Sequence, residues 1–412
     1  MSKIQEIHNS TLFGITIEAG CSATIASTLM NVAGSSKTIY RAEQPYNKDY
    51  QESLYGSFKR SVSKEWIQKV LEVEESKYGD KVNFILASSW QLIDPVDPLV
   101  YAHGWFGLYD IQRNVKHYLH FTFRRDFYYL TGEYRKNVHQ EDRKDILDRI
   151  GKLGVNVLHT AISGNIEEIT ANKDVILDMA YINDDVNYHL LINTLEKANG
   201  DYFLVFDKGD VIRIEDLMRK SNEFIIQKGS FNPLHHGHIK MMNETLSKHP
   251  DATPAFLIST FRYDKPHINY DELKDRIELM NKAGYPLIIC KSVLFYETFS
   301  LLRKWSHQKS FYFPIGIDTL NRIYQTDKDN VSNDSTLKIL NKDLDFSIKF
   351  FIYQKVDAFE NNFKFSLFER SGYQRAPETK SYDKLIEIIE HEDDGISSTK
   401  IRNGEMENKL KL

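Results

Sequence analysis

Short apolar runs alternate with stretches of helical spacing along almost the whole chain. Thr11–Ile17 predicts a strand, and Thr24–Val32 follows with apolar residues three and four apart, stopping at Gly34. Lys64–Lys77 predicts an amphipathic helix and Val82–Ala87 a short buried strand. Gly104–Tyr109 and Lys116–Arg124 predict two aromatic-rich strands of a hairpin or meander. Glu141–Lys152 returns to helical spacing, with Ile146, Leu147 and Ile150 inward. Val175–Ile182 and Tyr202–Asp207 predict strands, and Val186–Ala198 and Ile212–Lys220 predict helices. From Phe224 the alternation is regular. Apolar runs at Phe224–Gln227, Ala255–Ser259, Leu287–Cys290, Phe311–Ile315 and Ile348–Tyr353 are separated by helical stretches such as Tyr270–Ala283. Strands apolar throughout, separated by helices, predict a doubly wound parallel sheet. Three zones follow: an α/β domain at 1–160, a connecting α/β module at 161–222, and a doubly wound α/β domain at 223–412 with a polar tail from Asn403.

Composition narrows the function classes. The chain has 412 residues, enough for two or three domains, with 41% hydrophobic and 27% charged residues. Cys21 and Cys290 are the only cysteines, too few for a disulfide scaffold or a cysteine-rich zinc module. The net charge of −5 supplies no basic field for nucleic acid or an anionic membrane. The longest apolar stretches, such as Tyr285–Tyr296, are too short and interrupted to span a bilayer. MSKIQEIHNS has no basic start followed by an apolar stretch, so no secretory signal is expected and a cytoplasmic location is.

The most informative run is Gly229-Ser230-Phe231-Asn232-Pro233-Leu234-His235-His236-Gly237-His238. A strand, a glycine turn and a helix start place backbone N–H groups at the top of a sheet, where a phosphate is favoured. His235 and His238 beside such a site suit charge stabilisation on a reacting phosphoryl group. Taken alone, a histidine-rich turn need carry no chemistry, and no carboxylate stands at metal-ligand spacing within the run. Two distant segments add weight. Pro314-Ile315-Gly316-Ile317-Asp318 sets a glycine and a carboxylate straight after a predicted strand, at the end that faces a ligand crevice. Ile396-Ser397-Ser398-Thr399-Lys400-Ile401-Arg402 offers hydroxyls at a helix start and then two cations.

These three segments, in this order, resemble the nucleotidylyltransferase superfamily over about 223–402, and most closely the nicotinamide/nicotinate mononucleotide adenylyltransferases. The resemblance implies a Rossmann-like fold and direct attack of a mononucleotide phosphate on the α-phosphate of ATP, with pyrophosphate leaving. His238 would then meet the α-phosphate and His235 would orient the nucleotide. Gly229, Ser230, Phe231, Gly237, Gly316 and Asp318 would line the nucleotide. Ser398, Thr399 and Arg402 would hold the β- and γ-phosphates, with Mg²⁺ carried by the triphosphate and no protein metal site. Lys228 and Lys265 are weaker candidates, each equally readable as a surface lysine, and Arg276 as a structural ion pair. The open alternatives are an adenylyl- or cytidylyltransferase acting on another phosphorylated acceptor, and a non-catalytic nucleotide-binding regulator.

The first zone resembles, more faintly, the CinA C-terminal family of nicotinamide-nucleotide amidases. The resemblance rests on Glu18, Ala33-Gly34-Ser35-Ser36, Tyr46 and Thr131-Gly132-Glu133-Tyr134-Arg135. A gapless placement puts Ala19 at the family's nucleophilic serine and Gln51 at its lysine, so amidase chemistry is expected to be absent. Ser88–Pro95 replaces the family's glycine-rich stretch. Cys21, the nearby thiol, reads more simply as a small helix-start residue. Such a degenerate CinA-like domain would bind mononucleotide or serve as a packing module for a homo-oligomer.

Overall fold

The computed structural model describes residues 2–21, 24–92, 100–124, 140–164, 175–198, 202–260, 268–292, 295–303, 309–324, 362–370, 383–392 and 395–408, with single positions at 166, 169, 372, 374, 375, 377 and 410. They fall into two compact units, Met1–Asn199 and Gly200–Leu412. Each is a mixed α/β body built on a multi-stranded sheet flanked by helices. No helix among the described residues is long and apolar enough to cross a membrane.

The first unit opens with α1 (Lys3–Asn9), β1 (Gly14–Gly20), α2 (Ile25–Met30), β2 (Ile39–Glu43), α3 (Lys48–Tyr55) and α4 (Lys64–Tyr78). It continues through β3 (Phe84–Leu92), β4 (Val100–Asp110), β5 (Val115–Arg124), α5 (Gln140–Ser163), β6 (Val175–Ile182), β7 (Asp185–Val186) and α6 (Tyr188–Lys197). The sheet order is β2-β1-β3-β4-β5-β6-β7. β1 is parallel to β2 and β3, and every later pairing is antiparallel, so the expected meander of β4 and β5 is present. α4 starts where the Ser63 hydroxyl accepts the Trp66 N–H at 3.1 Å. It buries Trp66, Ile67, Val70 and Leu71, a single apolar stripe at three-four spacing.

The second unit contains β8 (Phe203–Asp207), β9 (Asp210–Ile212), α7 (Ile214–Met218), β10 (Glu223–Lys228), α8 (His236–Lys248), β11 (Thr253–Ser259), α9 (Tyr270–Ala283) and β12 (Leu287–Cys290). α10 (Phe295–Arg303), β13 (Ser310–Gly316), α11 (Ile317–Tyr324), β14 (Phe363–Phe368), β15 (Ile386–Ile389) and α12 (Ser398–Arg402) complete it. The order is β15-β14-β13-β10-β11-β12-β8-β9. The first six strands are mutually parallel, as expected of a doubly wound sheet; β8 and β9 add an antiparallel edge. The chain winds outward from β10 through β11 to β12, then restarts at β13 on the other side. The reversal between β10 and β13 opens a crevice at their carboxyl ends. Strands buried on both faces explain the continuous apolar runs. Phe224, Phe299, Phe311, Phe313, Phe363 and Phe365 pack together on one face, with ring centroids 4.8–6.5 Å apart.

Three expectations change. Residues 161–222 are not a module of their own: β6 pairs with β5 in the first sheet, whereas β8 pairs with β12 in the second. The first unit therefore extends past Thr160, and a fragment ending there would strip β6 and β7 from its sheet. The second sheet gains its antiparallel edge from residues assigned to that module. Five strands match no predicted strand, β2, β7, β9, β14 and β15, and the expected strand Ile348–Tyr353 lies outside the described residues.

Candidate active site

β10 ends at Lys228, and Gly229 keeps a ladder bond, its N–H donating to the Leu257 carbonyl at 3.0 Å. The turn 229–234 then delivers the chain to α8, which opens with His235 in an extended conformation (φ −140°). Phe231 takes a left-handed φ of 45°, which sends its ring edge-on against Phe256 at 4.9 Å and against His238 at 5.0 Å. Gly237 is buried, and a Cβ there would stand 2.7 Å from the Ile396 side chain. Only glycine lets the first turn of α8 approach the 396 segment so closely.

A cleft of about 250 Å³ lies at the strand reversal. Lys228, Gly229, Phe231, His235, Gly237, His238, Gly316, Asp318 and Ser398 all line it, so three segments spread over about 170 residues of chain meet there. Ser230, Thr399 and Arg402 lie beside it in sequence without being among its lining residues. The Ser397 hydroxyl caps α12 by accepting the Lys400 N–H at 3.2 Å, while Ser398 donates to the Pro233 carbonyl at 3.1 Å. Arg402 is exposed; its guanidinium donates to the Asn232 carbonyl and, at 3.1 Å, to the Thr399 hydroxyl. These bonds tie α12 to the 229–234 turn. Lys228 donates to the Thr298 hydroxyl at 2.7 Å and the Ser292 carbonyl at 3.3 Å. Arg276 pairs with Glu272 on α9 at 3.3 Å, a structural role. Lys265 and Thr131–Arg135 lie outside the described residues.

His238 has a defined proton arrangement. Its Nδ1 lies 3.3 Å from the His235 backbone nitrogen. A backbone N–H can only donate, so Nδ1 accepts and the ring proton of the neutral form sits on Nε2. Burial, then the His235 ring and the Arg370 guanidinium, hold this imidazole well below the ordinary histidine range. The His235 ring stacks on it at 3.7 Å. The result is a neutral N–H donor at the amino end of a 13-residue helix, whose dipole also favours an anion.

Of the titratable residues lining the cleft, sequence reasoning missed Arg370 and His391. Arg370 follows β14, donates to the Ile396 carbonyl at 2.6 Å and stands 3.8 Å from the Asp318 carboxylate. The alternating Phe363-Lys-Phe-Ser-Leu-Phe368 was the available signal for a strand leading to it. His391 follows β15 and packs against Phe368 at 5.3 Å.

In the first unit, Ala19 is buried on β1 opposite Ser89, and Gln51 donates its amide to the Pro45 and Tyr46 carbonyls at 2.9 and 3.1 Å. Glu18 accepts the N–H groups of Thr24, Ile25 and Ala26 at 2.7–2.8 Å and so anchors the start of α2. Burial pushes its carboxyl upward, against those three bonds.

No curated protein matches the chain in sequence. Among solved structures it is similar to the competence/damage inducible protein CihA from Agrobacterium tumefaciens, at 17% identity and a TM-score of 0.25, covering 40% of this chain and 95% of that one. It is also similar to the CinA superfamily protein from Escherichia coli (12%, TM-score 0.24, covering 39% and 83%). A third likeness is to nicotinic acid mononucleotide adenylyltransferase from Plasmodium falciparum (17%, TM-score 0.28, covering 44% and 82%). Residues 226–404 match the family model described as cytidylyltransferase-like, and they form a cytidylyltransferase-like domain of the nucleotidyltransferase superfamily.

Proposed function

We propose that the second unit transfers AMP from ATP to a phosphorylated small molecule, a pyridine mononucleotide, giving a dinucleotide and pyrophosphate. The observation that carries the transfer chemistry is the cleft where the neutral Nε2–H of His238, the amino end of α8 and the serine-rich start of α12 converge. The form ISSTKIR supports the mononucleotide acceptor. An acceptor phosphate oxygen attacks the α-phosphorus, its bond to the bridging oxygen breaks, and pyrophosphate carries that electron pair away. No covalent enzyme intermediate is needed, so catalysis is positioning plus charge stabilisation. His238 donates to an α-phosphate oxygen as charge builds, and His235 holds His238 in place. Gly229, Ser230, Phe231, Gly237, Gly316 and Asp318 receive the nucleotide. Among the described residues no three His, Cys, Asp or Glu side chains cluster as metal ligands. Mg²⁺ is proposed to enter with the triphosphate as part of the substrate.

Ser398, Thr399 and Arg402 are assigned to the β- and γ-phosphates. Arg402→Ala is expected to weaken ATP and lower turnover together. Arg402→Lys should restore only part of both, because an ammonium cannot form the planar fork. Steady-state kinetics in ATP check this; unchanged constants in both variants would leave Arg402 as a tie between α12 and the turn. The low proton affinity of His238 gives a second expectation. A group depressed well below its ordinary value stays neutral from about pH 6.5 upward, so kcat/KM should show no acid limb from His238 near the ordinary value of about 6.5. A limb there that disappears in His238→Gln would show instead that His238 titrates in the ordinary histidine range.

The first unit is proposed to be silent as an amidase, because Ala19 has no nucleophile and Gln51 no basic nitrogen. The full chain should release no ammonia from nicotinamide mononucleotide in a coupled assay. Release that tracks the purified protein and survives Cys21→Ser would overturn the placement of Ala19.

A further inference from the structure

Two imidazoles line the same cleft with opposite polarity. His238 receives a backbone N–H at Nδ1 and so offers a donor at Nε2. His391 is the reverse. Its Nδ1 lies 2.6 Å from the Glu244 carboxylate, a group that only accepts when ionised. Nδ1 therefore carries the proton, and in the neutral ring Nε2 is an acceptor. The ring is closely held: its side chain is only 8% exposed, and Phe368 packs on it edge to face at 5.3 Å. Lys240 fastens the next residue, donating to the Glu392 carbonyl at 2.5 Å, and stands 4.0 Å from Glu244.

The separation along α8 matters. Glu244 is six residues beyond His238, about 9 Å along the axis at about 1.5 Å per residue. Ionised phosphate oxygens accept hydrogen bonds, so they match the Nε2–H of His238 and the helix start, whereas an acceptor at Nε2 of His391 calls for a donor. The nucleoside half of a nucleotide carries the complementary groups, ribose O–H and the exocyclic N–H of adenine. We propose that His391, oriented by Glu244, accepts a hydrogen bond from an O–H or N–H of the nucleoside half of ATP. This rests on the function proposed above and places the nucleoside half beside the third turn of α8, where Glu244 stands. Glu244 is a positioning residue that fixes which ring nitrogen holds the proton.

The test is calorimetric titration of the full chain with ATP, 2′-deoxy-ATP, 3′-deoxy-ATP and purine riboside triphosphate, all with Mg²⁺. The last three each lack one donor. Wild type should bind one of them about 10-fold more weakly than ATP, the scale for a lost hydrogen bond that leaves a buried partner unmet. His391→Phe keeps an aromatic ring against Phe368; it should bind ATP about 10-fold more weakly and lose that discrimination. Glu244→Gln keeps the imidazole but lets an amide N–H approach Nδ1, and it should lose the same discrimination. Circular dichroism confirms that both variants fold. The result that would overturn the proposal is His391→Phe weakening all four nucleotides equally, or none of them. Equal binding of all four by wild type would overturn it too. No heat between wild type and ATP would overturn the adenylyltransferase reading itself, an outcome distinguishable from a failed His391 effect on intact ATP binding.

Discussion

His238→Ala is expected to lower turnover by about two to three orders of magnitude, the scale for losing one preorganised donor to a developing anion. The His235 N–H holds Nδ1 at 3.3 Å, the stacked His235 ring at 3.7 Å fixes the plane, and Phe231 closes the third side at 5.0 Å. Nε2–H is thus aimed before substrate arrives and needs little reorganisation during the reaction. Because the ring is neutral, it contributes little to ground-state attraction for ATP. KM for ATP should therefore change much less than kcat. His238→Gln retains an N–H donor on a more mobile stem and should recover part of the loss. Steady-state kinetics with far-UV circular dichroism separate loss of chemistry from loss of fold. Near-wild-type turnover in His238→Ala would remove the site.

Glu18→Ala is expected to destabilise the first unit by about 3 kcal/mol, since each buried donor left unmet costs about 1–3 kcal/mol and relaxation recovers part of the sum. Glu18 is 2% exposed and holds three successive N–H groups at the start of α2. A helix of six residues has few other means of satisfying its amino end. For a unit of this size the loss corresponds to roughly 6–12 °C in Tm. Glu18→Gln keeps one carbonyl acceptor and should fall between. Scanning calorimetry of the full chain reads the change, and an unaltered transition in Glu18→Ala would show that α2 does not depend on this carboxylate.

The cleft was legible where its residues sit next to chain punctuation. Gly229, Pro233 and Gly237 mark a turn between an apolar run and a helical stretch, and Asp318 follows a strand end, so their side of the cleft follows from order alone. ISSTKIR was legible as a helix start. Arg370 and His391 were not, because the strands that deliver them are a short Phe363–Phe368 run and the mixed Ile386–Ile389. The polarity of His391 depends on Glu244, 147 positions away in sequence, and no local pattern encodes that distance. Sheet membership posed the same difficulty. Val175–Ile182 and Phe203–Asp207 look alike in pattern, yet one pairs with β5 and the other with β12. Partner choice there is set by long-range burial, not by the runs themselves. Glu18 is a similar case: the N–H groups it accepts begin six residues on, beyond the reach of any N-cap pattern.

Nucleotidyl transfer by the second unit is read by incubating the full chain with Mg²⁺ and ATP or CTP against a panel of phosphorylated acceptors that includes nicotinamide and nicotinate mononucleotides. Pyrophosphate release and product mass are read together. Pyrophosphate is expected with ATP and a pyridine mononucleotide, in equal amount to a product bearing one added AMP, with loss of both in His238→Ala. Absence of pyrophosphate and of any nucleotidylated product with every acceptor and both nucleotides would contradict it.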